Sequence, residues 1–156
     1  MKTKATLLIA AIALLAVPAA AQNRPALPKE IKDALVEALA GKDGEYAARA
    51  TYDAVLKKYG NVQPYANLIR AEGRHINALK RQMQKYGVAI PKDTFMGKVK
   101  APVSLKEAAM EGVAGEMKNV AMFDELLPKV KQYPDLHRVF TNSVSYTHLT
   151  LPTKIV

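Results

Sequence analysis

The chain reads as an all-α bundle on three observations. Apolar residues recur at helical spacing through long segments, proline and glycine punctuate the ends of those segments, and no stretch alternates convincingly like a strand. At 156 residues there is enough chain for one domain with a real core and too little for two comfortable ones.

The first elements follow in order. Lys2 and Lys4, the apolar run Leu7 to Val17 and the small residues Ala19, Ala20 and Ala21 have the pattern of a secretory leader. Residues 1–21 are therefore expected to be removed, leaving a mature domain over 22–143 that is periplasmic or secreted. The apolar run is shorter than the ~20 residues a membrane span needs, so no transmembrane anchor is expected after cleavage. Pro28 suits the first turn of a helix, and a helical pattern runs from it to about Tyr59. Gly41 and Gly44 interrupt that pattern, so a break is expected around Lys42 and Asp43, with Glu45 opening the second piece. Gly60 and Asn61 turn the chain into a second helix, from Pro64 to about Tyr86, which Gly87 caps; the two should form an antiparallel hairpin.

Val88 to Val103 carries Pro91, Gly97 and Pro102 without a period and reads as a long connection across the bundle. Ser104, three residues before Glu107, is a capping-box signature that starts a third helix, to about Leu127. Pro128 and Pro134 bracket a loop, and a fourth helix opens near Asp135 with Leu136, Val139 and Phe140 on its apolar side.

Composition narrows the chemistry. There is no cysteine, so disulfides and thiolate ligands are excluded and any metal site must use Glu, Asp, His or water. The net charge of +9 falls by two, to +7, when Lys2 and Lys4 leave with the leader. Such a charge favours anionic surfaces. The basic residues Arg70, Arg74, Lys80, Arg81 and Lys85 lack an aromatic stripe for stacking bases, however, so they read as a solvated face and nucleic acid is not expected as a partner. A phosphate loop has no support, because Gly112-Val113-Ala114-Gly115 lies inside a helical pattern without a following Lys-Ser or Lys-Thr.

Helical phase singles out four polar residues. At about 100° per residue, Tyr65, Leu68, Ile76, Leu79, Met83 and Tyr86 surround Glu72, while Arg70, Arg74 and Arg81 lie opposite. His75 stays on the same side at i, i+3, so the two side chains converge. Leu105, Ala109, Gly112, Val120, Phe123 and Leu127 surround Glu116 in the same way, and Tyr52, Leu56 and Tyr59 align with Glu45. A buried carboxylate without a partner costs several kcal/mol, so a core holding three of them calls for a cation. Carboxylates with one imidazole suit iron or manganese better than calcium or magnesium. Pairing of the inward acids with Arg49 or Tyr52 is the alternative.

Glu45, Glu72-x-x-His75 and Glu116 resemble the ferritin-like carboxylate proteins, in which two helices give one Glu each and two others give Glu-x-x-His. The chain is more closely similar to an uncharacterised ferritin-like bacterial domain family, through Glu45-Tyr46-Ala47-Ala48-Arg49-Ala50-Thr51-Tyr52, Ala71 to Leu79, and Gly112-Val113-Ala114-Gly115-Glu116. The likeness covers roughly Ile31 to Asn142. It implies a four-helix bundle with a buried di-iron or di-manganese centre on Glu45, Glu72, His75 and Glu116. It names no reaction and no catalytic acid or base.

Residues 144–156 stand apart. Val144 to Thr153 is similar to one reading frame of the transposon-end adapter used in sequencing libraries, so the fourth helix is expected to be truncated or replaced by a non-native tail after Ser143. Thr147, Thr150, Pro152 and Thr153 fit an extended segment better than a closing helix, and His148, which falls there, is not taken as a ligand. Two functions follow. One is an exported ferritin-like protein whose two-metal centre reacts with oxygen or peroxide, or handles iron. The other is a metal-free helical binding module contacting an anionic envelope component. A homo-oligomer is compatible with either, but a ferritin-type cage would need specific interfaces that the sequence does not reveal.

Overall fold

Among the described residues five helices follow in chain order: α1 (Lys29–Ala40), α2 (Glu45–Tyr59), α3 (Tyr65–Lys85), α4 (Leu105–Val130) and α5 (Pro134–Thr150). The computed structural model describes residues 26–150, with side chains up to 144, and holds no strand among them. Residues 1–25, which include the expected leader, and residues 151–156 lie outside the described residues. None of the described helices is long and apolar enough to cross a membrane.

The break between α1 and α2 falls where the glycines placed it. The Gly41 N–H still donates to the Glu37 carbonyl at 2.8 Å, and the Gly44 N–H donates to the Gly41 carbonyl at 3.0 Å, closing a tight turn. A Cβ on Gly44 would sit 2.8 Å from the carbonyl oxygens of both Glu37 and Ala38, so only glycine lets the chain fold back this closely. Glu45 is thereby the first residue of α2. Helix α3 ends on Gly87 at φ 65°, with Gly87 donating to Gln84 and Val88 donating to Met83 at 2.8 Å, a glycine cap of the Schellman type. At the start of α4, Ser104 Oγ accepts from the Glu107 N–H at 3.1 Å. Glu107 reaches back to the Val103 N–H, one residue earlier than a capping box requires.

Three expectations need correction. Helix α4 runs through Pro128 to Val130. A proline in a last turn removes a single helical hydrogen bond, so the helix can continue two residues past it. The backbone of α5 stays helical to Thr150, where an extended segment was expected after Ser143. Thr and Ser are only mildly unfavourable in a helix. The third correction concerns the buried stripe of α4, which is Ala108, Glu116, Asn119, Met122, Phe123, Leu126 and Val130. Leu105 is exposed, and Ala109, Gly112, Val120 and Leu127 are only half-buried. The helix is rotated from the phase centred on Glu116, which stands at the edge of the stripe.

Packing divides the apolar interior in two. The larger cluster joins Ile31, Leu35 and Leu39 of α1, Ile76, Leu79 and Met83 of α3, Phe123 and Leu126 of α4, and Leu136 and Phe140 of α5. Phe123 and Phe140 meet edge to face with ring centroids 5.4 Å apart. The smaller cluster joins Tyr52 and Val55 of α2, Tyr65 and Leu68 of α3, and Ala108 of α4. Along α3 the residues separating the two clusters include Glu72 and His75; along α4 they include Glu116. The long connection is fastened to α2 by Tyr46, whose hydroxyl donates to the Pro91 carbonyl, and by Lys58 and Tyr59, which both donate to the Pro102 carbonyl. Of the expected solvated face Arg70, Arg74, Arg81 and Lys85 are exposed, whereas Lys80 is half-buried with its ammonium over the Tyr46 ring.

Candidate metal centre

The polar layer between the two apolar clusters is built from helix ends and helix faces. Glu45 enters it because the Gly41–Gly44 turn sets the first residue of α2 against α3. Asn119 of α4 holds that turn in place, its amide donating to the Asp43 carbonyl at 2.9 Å. Glu72 and His75 enter from α3 at i, i+3, on the face that also buries Tyr65, Leu68, Ile76 and Leu79. All three are buried, Glu45 to 1% exposure.

Glu45, Glu72 and His75 each bring one ligand atom to within 4.8 Å of the others, a spacing that suits three ligands on a common ion. His75 Nδ1 stands 3.6 Å from Glu45 Oε2 and 3.6 Å from Glu72 Oε2, within ion-pair range and beyond a hydrogen bond. Neither carboxylate oxygen of Glu45 has a hydrogen-bond partner. Arg49 and Tyr52, the alternative partners, therefore do not satisfy it.

Electrostatics follow from that geometry. Burial, and then the charge of Glu72, hold the Glu45 carboxyl well above the carboxylate range. Burial by itself would pull the His75 imidazole down, but the two facing carboxylates outweigh it and push it up to about 9. Without metal, the imidazole therefore carries a proton at neutral pH. A cation would take over the work of that proton, and the buried, undonated oxygens of Glu45 fit such an ion.

Glu116 is treated differently. It is buried at 3% exposure, as its helical phase predicts, but it stands outside the group of three and accepts a hydrogen bond from the Tyr52 hydroxyl. Tyr52, expected as an alternative partner of the inward acids, takes that role at Glu116, whereas Asn119 belongs to this layer and was not singled out from the sequence. Asn119 sits at i, i+3 from Glu116, the spacing of Glu72 and His75, and that repetition was the available signal. His148 lies among residues whose side chains are not described.

A cleft of about 340 Å³ runs beside the layer between α2 and α4, with Ala47, Ala48, Tyr52, Gly112, Gly115 and Asn119 among its walls. A Cβ on Gly112 or Gly115 would meet nothing within 4 Å, so close packing does not require glycine at either position. Family models, curated proteins and solved structures give no significant match to the chain.

Proposed function

We propose that this chain is an exported ferritin-like protein that folds as an antiparallel four-helix bundle and binds a two-metal centre of iron or manganese through Glu45, Glu72, His75 and Glu116. The observation that carries the reading is Glu45: two carboxylate oxygens in the interior, neither with a donor, beside a second carboxylate and an imidazole. Hard carboxylate oxygens with one nitrogen and no thiolate match the preferences of those two metals. In that arrangement Glu45, Glu72 and His75 hold the first ion, and Glu116 serves the second with Tyr52 hydrogen-bonded behind it, as ligand carboxylates commonly are. The bound metals would supply redox chemistry toward oxygen or peroxide, or a place for iron to be handled. The chain's own residues fix the ligands, keep the layer dry and carry the exchangeable proton on His75. Export rests on the leader pattern alone.

Metal analysis tests the reading. Protein purified after loading with iron(II) or manganese(II) should retain metal near stoichiometry, and Glu72→Ala should lose it. Background metal in the unsubstituted protein under both conditions would reject the proposal. One observation favours the second reading, a metal-free binding module: the Tyr52 hydroxyl already satisfies Glu116. On that reading Glu116→Gln should leave stability and metal content alike unchanged.

A further inference from the structure

The outer face of α4 does not look like a solvated helix face. Opposite its buried stripe, Met110 and Met117 are 61% and 65% exposed, and Ala114 and Ala121 between and beyond them are exposed too. The four recur at i, i+4, i+7 and i+11, so they form one straight apolar seam. Exposed charges border it: Lys106 and Asp124 along one edge, Glu111 and Lys118 along the other.

We infer that a second copy of this chain packs on this seam, α4 against α4 and antiparallel. A two-fold axis passing near Gly115 sets each residue before it against one about equally far after it in the second copy, to within one residue. Under that one operation Met110 meets Ala121 of the second copy, and Ala114 meets Met117. Lys106 meets Asp124, and Glu111 meets Lys118. The four pairs are chosen by different chemistry, large apolar on small and positive on negative, yet all their midpoints fall within about half a residue of Gly115.

Symmetry makes each pair twice. In an antiparallel helix pair each edge faces the same edge of its neighbour, so Lys106 and Asp124 meet on one side while Glu111 and Lys118 meet on the other. A parallel pairing would instead set Met110 on Met110 and Ala114 on Ala114, which loses the fit of large on small. Alanine opposite methionine lets the helices approach closely and gives each thioether a shallow hole. Glu107, which shares an edge with Glu125 of the second copy, is turned back to its own helix start, where it accepts from the Val103 N–H at 2.7 Å. The pairing needs nothing from the polar layer and goes beyond the metal reading.

Sedimentation of the full chain over a wide concentration range tests this directly. A reversible monomer–dimer equilibrium is expected. Met117→Lys, at an exposed position that leaves the fold intact by circular dichroism, should raise the dissociation constant about tenfold or more. Lys106→Glu should weaken the dimer, and adding Asp124→Lys to the same chain should restore it. Because the sequence has no cysteine, Ala114→Cys gives a clean reporter beside the axis. Mild oxidation should link it into dimers, and Met117→Lys should abolish the link. A chain that stays monomeric at every concentration and forms no link overturns the inference. So does a dimer whose constant moves with neither Met117→Lys nor Lys106→Glu.

Discussion

Glu45 concentrates the chemistry of the molecule in one side chain. Its two oxygens have no hydrogen-bond donor, and its nearest positive charge is an imidazolium 3.6 Å away. Removing a buried, poorly compensated charge while keeping the shape relieves desolvation. Glu45→Gln should therefore leave metal-free protein as stable as the parent or raise its stability by about 1–2 kcal/mol, while weakening metal retention. Urea melts with and without chelator read both effects, and a large loss of stability in chelator would show that Glu45 is already well paired. The pH dependence has a definite sign. His75 has its ordinary value near 6.5 in the unfolded chain and about 9 in the fold, so its contribution to stability is fully present below 6.5 and is lost as pH rises through about 9. Glu45, whose carboxyl is also raised, adds to the same trend from its ordinary value of 4.5 upward. Metal-free protein should thus unfold at lower urea as pH climbs from 6.5 to 9, whereas metal affinity should grow across that window as the competing protons leave. A midpoint that rises with pH in chelator contradicts this account.

Helices α1 and α2 owe their separation to a turn that has no room for side chains. Gly44→Ala would bring a Cβ to 2.8 Å from two backbone carbonyl oxygens, neither of which can rotate away as a side chain would. We expect a loss of about 1–3 kcal/mol in thermal or urea unfolding, with weaker metal retention because Glu45 is the next residue. Unchanged stability would mean the turn can open without cost. This turn was legible in the sequence, as were the cap at Ser104, the glycine cap at Gly87 and the inward faces of α3, because each depends on a local rule. The rotation of α4 was not legible. Its apolar residues surround the helix almost completely, with Met110 and Met117 on one side and Met122 and Phe123 on the other, so periodicity alone could not choose the buried face. Helix α5 made that choice, with Phe140 packed edge to face on Phe123 and Leu136 in the same cluster. The same ambiguity hid Asn119, whose value lies in a contact with Asp43 across a long sequence interval. The candidate ligands were readable for the opposite reason, since a carboxylate on an apolar face stands out whatever packs against it.

The molecule as a whole places a polar layer between two apolar clusters, and the layer is a liability until its charges are matched. The larger cluster, crossed by the Phe123–Phe140 contact, supplies stability that no ion can alter. Phe123→Ala should cost about 3–5 kcal/mol with or without metal, since it opens a cavity remote in kind from the ligands. The layer behaves differently because α2 and α3 both contribute to the group of Glu45, Glu72 and His75, so an ion held there binds the folded chain and has no equivalent site in the unfolded one. Such a ligand raises stability by RT ln(1 + [L]/Kd), which is about 2.7 kcal/mol at a hundred times its dissociation constant. Calorimetry in increasing manganese(II) should therefore show one cooperative transition moving steadily upward, and chelator should return it to its starting temperature. In Glu72→Ala the transition should stand near or above that of the metal-free parent and fail to move with metal. In Phe123→Ala it should start lower and still climb by the same increment, because Phe123 belongs to the larger apolar cluster and supplies no ligand to the layer. A metal response lost in Phe123→Ala but kept in Glu72→Ala would place the ion somewhere other than the layer.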